Sequence, residues 1–539
     1  MSVQAPQLSH PHLFERHGTP FPLKLSIPTR PRETSGGSTS YLKSSANLLG
    51  FNGDISFLGK PSVPRLPHIA KGIDQELCGD LLNRPLCRWL AWTCDAIDFF
   101  SVSLSVTRLT KQFDRSTHDI TTAITLTLLL RSAGALIFGV LSDRYGRKWP
   151  LIANLLLVAV LELGAGFVQT FNAFLGARSL FGIAMGGIWG LAASTALENL
   201  PVEARGLASG ILQQGYAVGY LLAAVINLYL VPSVSAGWRA LFWTAAGISA
   251  FAAFIRLLLP ESEVFIRAKA AEKASGRTTE HKTKIFLAET WSMLKGHWLL
   301  CIYAVLLMTG FNFLSHGSQD LYPTYLQTSK GFSDHNATVA TIIGNCGAIA
   351  GGALAGWVSQ YIGRRLTIII FVLLIGAFIP LWILPSSFSA LAAGAFCIQF
   401  GVQGAWGVIP IQLAEMSPPA FRATFPGVAY QLGNMVSSAS AQIEATGGEN
   451  LRTTINGKDV PDYATVQGIL IGVVAAFVVV VTIIGPENHG SHFEKHKTAF
   501  EVGGGHDEAV VEDSESVAAA SSIRDEKEKR SVEEIKGVV

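Results

Sequence analysis

Apolar residues along the chain fall into runs of about twenty, and short polar segments separate the runs. About 20 apolar residues is the length of helix that crosses a bilayer. We predict twelve spanning helices, in two groups of six with a charged loop between the groups. The predicted spans are 89–107, 120–141, 149–169, 172–197, 204–230, 238–259, 298–326, 336–358, 365–385, 387–414, 422–446 and 464–485. The pattern predicts an all-α membrane protein of two six-helix bundles.

The segments outside the two bundles (89–259 and 298–485) are polar. Residues 1–88 are rich in Pro, Ser and Gly with no apolar stretch near Met1, which indicates a soluble and largely disordered tail. The central loop, 260–297, is charged, and the tail 486–539 alternates acids with lysines and is predicted to be disordered. Lysine and arginine are more frequent in the loops that share a side with the termini. This bias predicts that both termini are cytosolic.

Composition excludes several classes of function. Only 15% of the residues are charged, against about a quarter in soluble proteins, and the mean hydropathy is +0.36. The net charge of +2 and the lack of a basic domain argue against nucleic-acid binding. The six cysteines form no CxxC pair, so neither a disulfide framework nor a metal site is predicted. No Walker loop, dinucleotide fingerprint or nucleophile elbow is present, so we predict neither an enzyme nor a cofactor.

The predicted span 298–326 contains a dense group of polar residues. An ionisable side chain at membrane depth costs about 3 kcal/mol or more, so such residues usually face a cavity. Spacings of three and four place them on one helix face. Histidine changes charge near neutral pH, and an adjacent aspartate stabilises the imidazolium. A lone membrane histidine is more often a hydrogen-bonding partner of a neighbouring helix, but this clustering favours a substrate or proton site. The members are Asn312, Ser315, His316, Ser318, Gln319 and Asp320.

Arg131 lies near the middle of the predicted span 120–141 and needs a counter-charge there. The counter-charge is either an internal acid, Asp95 or Asp98, or the carboxylate of a substrate. Guanidinium binds carboxylates with two parallel hydrogen bonds, and the prediction favours an anionic substrate over a permanent structural pair. Asp95 and Asp98 are three residues apart and share a helix face, and proton-coupling and structural roles remain equally open for them.

An internal repeat links the two groups of spans. The segment Gly139–Lys148 recurs as Gly356–Arg365, a shift of 217 residues, and the same shift relates Trp189-Gly190 to Trp406-Gly407. It predicts two homologous halves around a central path. Charged pairs at the cytosolic ends of the helices recur at the same shift, and we predict that they hold the two halves together while the path is open outward. The alternative is that these are surface ion pairs that contribute little to stability. The predicted pairs are Asp143 with Arg147, Glu198 with Arg205, and Glu415 with Arg422; in the second half Gln360 replaces the aspartate, which predicts a weaker latch.

At this point the chain resembles the major facilitator superfamily. The loop motif G-x-x-x-D-R-x-G-R-K, from Gly139 to Lys148, is the most specific signature of that superfamily. Arg178-x-x-x-Gly182-x-x-x-Gly186 and Pro260-Glu261-Ser262 agree with it. The resemblance implies the fold of two six-helix bundles and transport by alternating access.

A longer motif resembles a narrower family. N-x-x-[ST]-H-x-[ST]-Q-D-x-x-x-T is the span-7 signature of fungal lactate/carboxylate permeases, and the stretch from Asn312 to Thr324 meets every specified position. The resemblance implies a proton symporter for lactate, pyruvate, acetate or a related acid in the plasma membrane. It also implies functional roles for Arg131, Gln431 and Asn434.

Two alternatives remain for the cargo and the class of protein. Asp95-x-x-Asp98 resembles the span-1 motif of aromatic-acid/proton symporters, which keeps dicarboxylates and aromatic acids open; Tyr216 and Tyr220 are candidates for setting that choice or for packing. The long tails also fit a membrane nutrient sensor that does not transport. The expected partners are a small carboxylate, a proton and the lipid bilayer, with Lys527, Lys529 and Lys536 as candidate ubiquitin acceptors.

Overall fold

The structure is a computed structural model that describes residues 75–145, 148–189, 204–259, 279–418, 421, 424–455 and 457–488. Most of the two predicted tails, residues 1–74 and 489–539, lies outside the described residues. The three candidate ubiquitin acceptors also lie there. All of the described residues belong to one compact unit.

The described chain is almost entirely helical. Its helices are α1 Gln75–Phe113, α2 Thr117–Tyr145, α3 Lys148–Ala165, α4 Phe171–Met185, α5 Arg205–Tyr229, α6 Arg239–Leu258, α7 Thr279–Gly296, α8 Trp298–Gln319, α9 Tyr322–Thr328, α10 Asp334–Ile362, α11 Arg364–Ile383, α12 Phe388–Met416, α13 Thr424–Ser437, α14 Ser440–Asn450 and α15 Tyr463–Ile484. A hairpin of β1 Arg452–Ile455 and β2 Lys458–Pro461 precedes α15, with Arg452 opposite Pro461.

Within the described residues, nine helical segments are long and apolar enough to cross a membrane. They are α2, α3, α5, α6, α8 with α9, α10, α11, α12 and α15. Three predicted spans are not among them. The predicted span 89–107 is helical, but two aspartates and three serines make it less apolar. The predicted span 172–197 corresponds to α4, which ends at Met185. The predicted span 422–446 consists of two short helices.

Two helices extend beyond the limits predicted from the sequence. The first helix begins at Gln75 and not at residue 89, so the last part of the predicted N-terminal tail is helical. The segment predicted as the central loop contains α7 from Thr279 to Gly296. Polar composition predicts solvent exposure, but it does not by itself prevent a helix from forming.

The run 422–446 breaks between α13 and α14 at Ser438-Ala439. The hydroxyl of Ser437 donates to the carbonyl of Asn434 (3.2 Å), and that of Ser438 donates to the carbonyl of Met435 (2.8 Å). Such local bonds compete with the helical hydrogen bonds of the backbone. Similarly, α8 ends at Gln319 and α9 starts at Tyr322 with Pro323 in its first turn, because proline fits the first turn of a helix but not its interior.

The two halves meet where α5 packs against α10 and α12, and where α2 packs against α13 and α14. Polar residues are concentrated inside, whereas large apolar side chains such as Val160 (64% exposed) and Val473 (65% exposed) lie on the outer surface. This is the reverse of a soluble protein, in which large apolar side chains are mostly buried. It leaves an apolar exterior for lipid and a polar interior between the halves.

Candidate functional site

The polar residues of α8 lie on the side of the helix that faces the protein interior, and those named above are all buried. Helices α13 and α15 pack along α8, and α12 and α14 also contact it. Polar groups buried this far from water need hydrogen-bonding partners. The partners come from α12 and α13 in the same half and from α5 in the other half.

His316 lies between a carboxylate and an amide oxygen. Its Nδ1 is 3.2 and 3.1 Å from the two carboxylate oxygens of Asp320, and its Nε2 is 3.3 Å from Oδ1 of Asn434. The amide nitrogen of Asn434 donates to Oε1 of Gln431 (3.5 Å), which turns the Asn434 oxygen toward the ring. Both ring nitrogens therefore face acceptors. An imidazolium, which carries two N–H donors, satisfies this arrangement fully.

The predicted pair Gln431 and Asn434 on α13 also connects the cluster to the first half. Gln431 donates from Nε2 to the carbonyl of Gly186 at the end of α4 (3.0 Å). The hydroxyl of Ser132 on α2 donates to the backbone carbonyl of Gln431 (3.0 Å). A continuous set of polar contacts thus runs from Asp320 through His316, Asn434 and Gln431 to the first half.

Arg131 is buried between the halves, with 1% of its side chain exposed. Its Nη2 lies 3.1 Å from Oδ2 of Asp95, which is fully buried. The guanidinium carbon lies 5.8 Å from the ring centre of Tyr430, the neighbour of Gln431 on α13. The ion pair uses one bond only: Nε of Arg131 and Oδ1 of Asp95 have no hydrogen-bond partner among the described residues. The Nε–H of the guanidinium therefore remains an unused donor in the described chain.

The first half holds further buried charges near Arg131. Oδ2 of Asp98 accepts a bond from the hydroxyl of Ser249 (2.7 Å), and Oδ1 is unpartnered within the described residues. Glu162 pairs with Arg178 at 2.6 Å, a partner that the sequence analysis did not identify. Apart from Arg205 at the start of α5, the buried charges described in this half are three carboxylates and two guanidinium groups. The carboxylates are those of Asp95, Asp98 and Glu162, and the guanidinium groups are those of Arg131 and Arg178. Of the three carboxylates, Asp98 is the one that forms no ion pair among the described residues.

A group of packed aromatic rings lies next to the guanidinium of Arg131. Tyr430 stacks on Trp189 at 4.3 Å between ring centres, and Trp92 stacks on Tyr216 at 5.3 Å. Tyr220 stacks on Phe100, and its hydroxyl donates to the carbonyl of Gln319 across the two halves (3.2 Å). Tyr216 and Tyr220 thus line the interior, and both also pack against other rings.

Two glutamines of α12 belong to the cluster and were missed. Gln319 donates to Oε1 of Gln399 (2.8 Å), and Gln399 donates to the hydroxyl of Ser318 (3.1 Å). Gln403 donates to the hydroxyl of Ser315 (3.5 Å). The repeat contained a signal for them, because subtracting 217 from 399 and 403 gives Gly182 and Gly186. Bulky amides thus replace glycines of the first half at equivalent positions.

A small cavity lies beside this cluster, between α5, α9, α10 and α12. Tyr220, Gln319, Tyr322, Asn345 and Gln399 are among the residues that line it. The hydroxyl of Tyr322 and Oδ1 of Asn345 are buried with no hydrogen-bond partner in the described part of the chain. Buried polar atoms of this kind are usually satisfied by water or by a bound polar molecule.

The predicted latch residues are only partly described. Asp143 lies in the last turn of α2, but its side chain is outside the described set, and Arg147, Glu198 and Arg422 lie outside it entirely. Arg205 is buried at the start of α5.

Glu415 takes part in an ion pair that the sequence analysis did not predict. Both of its carboxylate oxygens accept from Arg364, at 3.0 and 3.1 Å. Gln360, which replaces the aspartate of the first half, accepts from Arg364 (3.1 Å) and from the backbone N–H of Gly206 in the other half (3.2 Å). The glutamine therefore bridges the halves without a charge.

Comparison with known proteins gives a family and several relatives. The family described as the Major Facilitator Superfamily matches residues 88–441. The carboxylic acid transporter protein homolog of Saccharomyces cerevisiae is 39% identical over 414 residues, covering 74% of this chain and 67% of the relative. The cis,cis-muconate transport protein of Acinetobacter baylyi is 26% identical over 370 residues, covering 67% of this chain and 87% of the relative.

Solved structures share the fold. The proton:xylose symporter XylE, bound to 6-bromo-6-deoxy-D-glucose, aligns with a TM-score of 0.60 at 17% sequence identity. The alignment covers 79% of this chain and 98% of that one. The expected arrangement of two related helical bundles is confirmed by this likeness and by the family match.

Proposed function

Because the chain belongs to the major facilitator superfamily, and is therefore a multi-pass membrane transporter and not an enzyme, we propose that it is a proton-coupled symporter for short-chain carboxylates. It imports lactate, pyruvate or acetate across the plasma membrane by alternating access. The observation that carries the proposal is the buried guanidinium of Arg131, bound through a single contact to Asp95 and placed beside the polar cluster of α13. The likeness to a carboxylic acid transporter homolog supports the same class of cargo.

Arg131 binds the carboxylate of the substrate. Its Nε is unpartnered in the described part of the chain, and Nη2 contacts only one oxygen of Asp95. A planar guanidinium binds a carboxylate best through two parallel hydrogen bonds, and it stays charged at every working pH. The ring of Tyr430 on one side leaves the guanidinium desolvated, so its attraction for an anion is stronger than in water.

Binding of the substrate at Arg131 is coupled to protonation of the acids of α1. Asp95 and the substrate carboxylate compete for the same guanidinium. When the substrate takes that contact, Asp95 becomes a buried carboxylate without a cation, and uptake of a proton removes the unpaired charge. Asp98 forms no ion pair among the described residues, and the hydroxyl of Ser249 beside it can bond to the acid in either protonation state.

His316 with Asp320 forms the second proton-binding pair. The imidazolium adds positive charge near the bound anion, and loss of its proton lowers the affinity and favours release. Asn434 and Gln431 link this change to the first half through Gly186. The charge state of His316 thereby biases how the two halves meet. Gln319 and Asn312, on the same face of α8, complete the substrate-binding set.

Uptake of radiolabelled lactate by cells that produce the protein tests the proposal. The initial rate should rise as the external pH falls and should collapse when a protonophore removes the gradient. Since one proton per monocarboxylate makes transport electrically neutral, the membrane potential alone should have little effect on the rate. Uptake that is unchanged by the protonophore contradicts proton coupling. No uptake of any carboxylate, with the protein present at the cell surface, contradicts the transport proposal.

Dicarboxylates and aromatic acids are the second candidate cargo. The likeness to a cis,cis-muconate transport protein and the aromatic walls near Arg131 favour this alternative. A panel of unlabelled acids competing with labelled lactate distinguishes the two. Stronger competition by muconate or benzoate than by pyruvate and acetate would assign the site to the larger acids.

A further inference from the structure

Glu444 on α14 is a buried acid that the transport site described above does not use. Its side chain is fully buried. Oε2 accepts a hydrogen bond from the amide nitrogen of Gln467 on α15 (2.9 Å). Oε1 lies 3.4 Å from the hydroxyl of Ser440. Both partners are neutral, and in the described part of the chain no arginine, lysine or histidine forms an ion pair with this carboxyl group.

The orientation of the neighbouring amide is fixed. The indole N–H of Trp382 donates to Oε1 of Gln467 (3.2 Å). An indole N–H is a donor only, so the oxygen of Gln467 faces Trp382 and the nitrogen faces Glu444. Glu444 therefore accepts from Gln467 in either protonation state. A proton on Oε1 donates to the hydroxyl of Ser440, which then satisfies every polar atom of the group.

The groups that face Glu444 from the neighbouring elements form no ion pair with it in the described chain. Helix α14 packs against α2, α8 and α15 and touches β2. From α8, Asp320 acts on Glu444 as a second acid, and it is already paired with His316. From α15 the facing titratable group is Tyr463, a neutral phenol.

The two remaining neighbours of α14 place no cation in an ion pair with Glu444 among the described residues. From α2, the side chain of His118 is exposed, and its backbone carbonyl accepts from Gln442. On β2, Lys458 and Asp459 are both exposed, and Asp459 is bound to Arg452. An unpaired carboxylate in such surroundings is costly, whereas a neutral carboxyl with satisfied hydrogen bonds is not.

The position of Glu444 gives its proton a short route to solvent. It lies six residues before the end of α14 at Asn450, about 9 Å along the helix axis. That end leads into the hairpin, on the side predicted to face outside. The break at Ser438-Ala439 makes α14 a short helix separate from the one that carries Gln431 and Asn434. Short discontinuous helices near the middle of transporters are typical of ion-binding regions.

We propose that Glu444 is a proton-binding site of the transport cycle, loaded from the outside and separate from the His316–Asp320 pair. The step is a simple proton transfer: water from outside delivers a proton to Oε1, and the proton returns to water when the site opens again. This inference rests on the proposed function, since it requires proton-coupled transport.

The test compares Glu444→Gln with the wild-type protein. Glutamine has nearly the shape of the protonated acid and keeps the bonds to Ser440 and Gln467, so folding should be preserved. We expect exchange of labelled for unlabelled lactate without a pH gradient to remain within about twofold of wild type. Net uptake should lose its rise at acid pH. Glu444→Asp, which restores a carboxyl group, should regain that rise with a shifted midpoint.

Gln467→Leu is the matched control, because it removes the hydrogen bond but leaves the acid in place; its uptake should keep a rise at acid pH. A pH profile of Glu444→Gln that superposes on a proton-coupled wild-type profile overturns this inference and leaves the proposed function intact. If the wild-type uptake itself is independent of the proton gradient, both proposals fail. Loss of lactate exchange in Glu444→Gln, with normal amounts at the surface, assigns Glu444 a structural role and also overturns the inference.

Discussion

At the scale of single residues, the proposed binding of an anion depends on the buried ion pair of Arg131 and Asp95. A structural pair in a low-dielectric interior is usually completed by further hydrogen bonds, because desolvation of both charges is expensive. Here one nitrogen of Arg131 and one oxygen of Asp95 remain without partners in the described chain. A buried polar atom without a partner calls for an explanation, such as a functional role or a bound water or ion. We therefore interpret the pair as the resting state of the proposed binding site.

Paired substitutions at these two positions separate a binding role from a structural one. Arg131→Ala alone should abolish lactate uptake. It also leaves Asp95 as a buried unpaired charge, which should lower the free energy of unfolding by about 3–5 kcal/mol. The double variant Arg131→Ala with Asp95→Ala removes both charges and should restore the amount of folded protein at the membrane. It should not restore uptake, because the anion has lost its guanidinium. Initial rates normalised to surface protein are the measurement.

Arg131→Lys is the control for charge alone. It keeps the positive charge but loses the two-bond geometry, so we expect a rise in KM of about tenfold with smaller changes in the amount of protein. Recovery of uptake in the double alanine variant would show that the pair serves the fold and not the substrate.

At the scale of helices, the contact between α5 and α10 depends on glycines. A Cβ atom on Gly210 would lie 2.3 Å from the carbonyl oxygen of Gly352, and one on Gly206 would lie 2.6 Å from that of Gly356. These distances are far below van der Waals contact, so the two backbones approach as closely as they do only because side chains are absent. The hydroxyl of Ser209 also bonds to the carbonyl of Gly407 on α12 (2.8 Å). This side of the interface is thus tightly closed.

Gly210→Ala should prevent this closure. The added methyl group meets a backbone oxygen, which cannot move aside as a flexible side chain can, so α5 and α10 must separate. We expect lactate uptake to fall about tenfold or more while the protein still reaches the membrane. The uptake rate and the surface amount are measured together.

Gly247→Ala on α6 is the matched control, because a Cβ atom there has nothing within 4 Å. It should leave uptake unchanged and should stabilise the protein by about 0.4–1 kcal/mol, as expected for alanine in place of glycine at an unstrained helical position. Equal uptake by the Gly210 and Gly247 variants would mean that close approach of α5 and α10 is not needed for transport.

At the scale of the whole molecule, a polar network closes the end of the α5–α10 interface that is predicted to face outside. Arg108 on α1 binds Asp334 at the start of α10 (2.5 Å) and Asn227 on α5 (2.6 Å). Gln327 on α9 donates to Asp334 (3.1 Å) and accepts from Thr107 (2.6 Å). An isolated exposed ion pair contributes little, but a connected set that joins four helices has a larger effect. The network holds the two halves together at this end.

Asp334→Asn should weaken this closure and shift the protein toward a state open at that end. In a cysteine-free background, Thr341→Cys reports access to the cavity beside Gln319, since Thr341 lines it. We expect a membrane-impermeant thiol reagent to label this cysteine about fivefold faster in the Asp334→Asn variant. This factor corresponds to a change of about 1 kcal/mol in the free-energy difference between the closed and open states.

Exchanging the charges (Arg108→Asp with Asp334→Arg) should return labelling toward the original rate. Asp459→Asn, in the exposed Arg452–Asp459 pair of the hairpin, is the control and should have no effect. Unchanged labelling in the Asp334→Asn variant would show that the network does not control opening.

Much of the architecture follows from the sequence. Apolar runs of about 20 residues predict helices because backbone N–H and C=O groups in lipid must be satisfied within the segment. The repeat at a shift of 217 predicts two related halves, and the spacing in α8 predicts that Asn312, His316 and Gln319 share a face. These properties depend on local pattern, and so they can be inferred before any tertiary contact is known.

The partners of the buried charges were decided only by the tertiary structure. Asp95 and Asp98 are equally plausible counter-charges for Arg131 in the sequence, but the packing of α1 against α2 brings Asp95 to the guanidinium and turns Asp98 toward Ser249. The pairs of Arg178 with Glu162 and of Arg364 with Glu415, and the isolation of Glu444 from any cation in the described chain, were likewise not apparent from spacing. In a low-dielectric interior a charge binds whichever opposite charge the helix packing places within about 4 Å, and separation along the chain does not determine that distance.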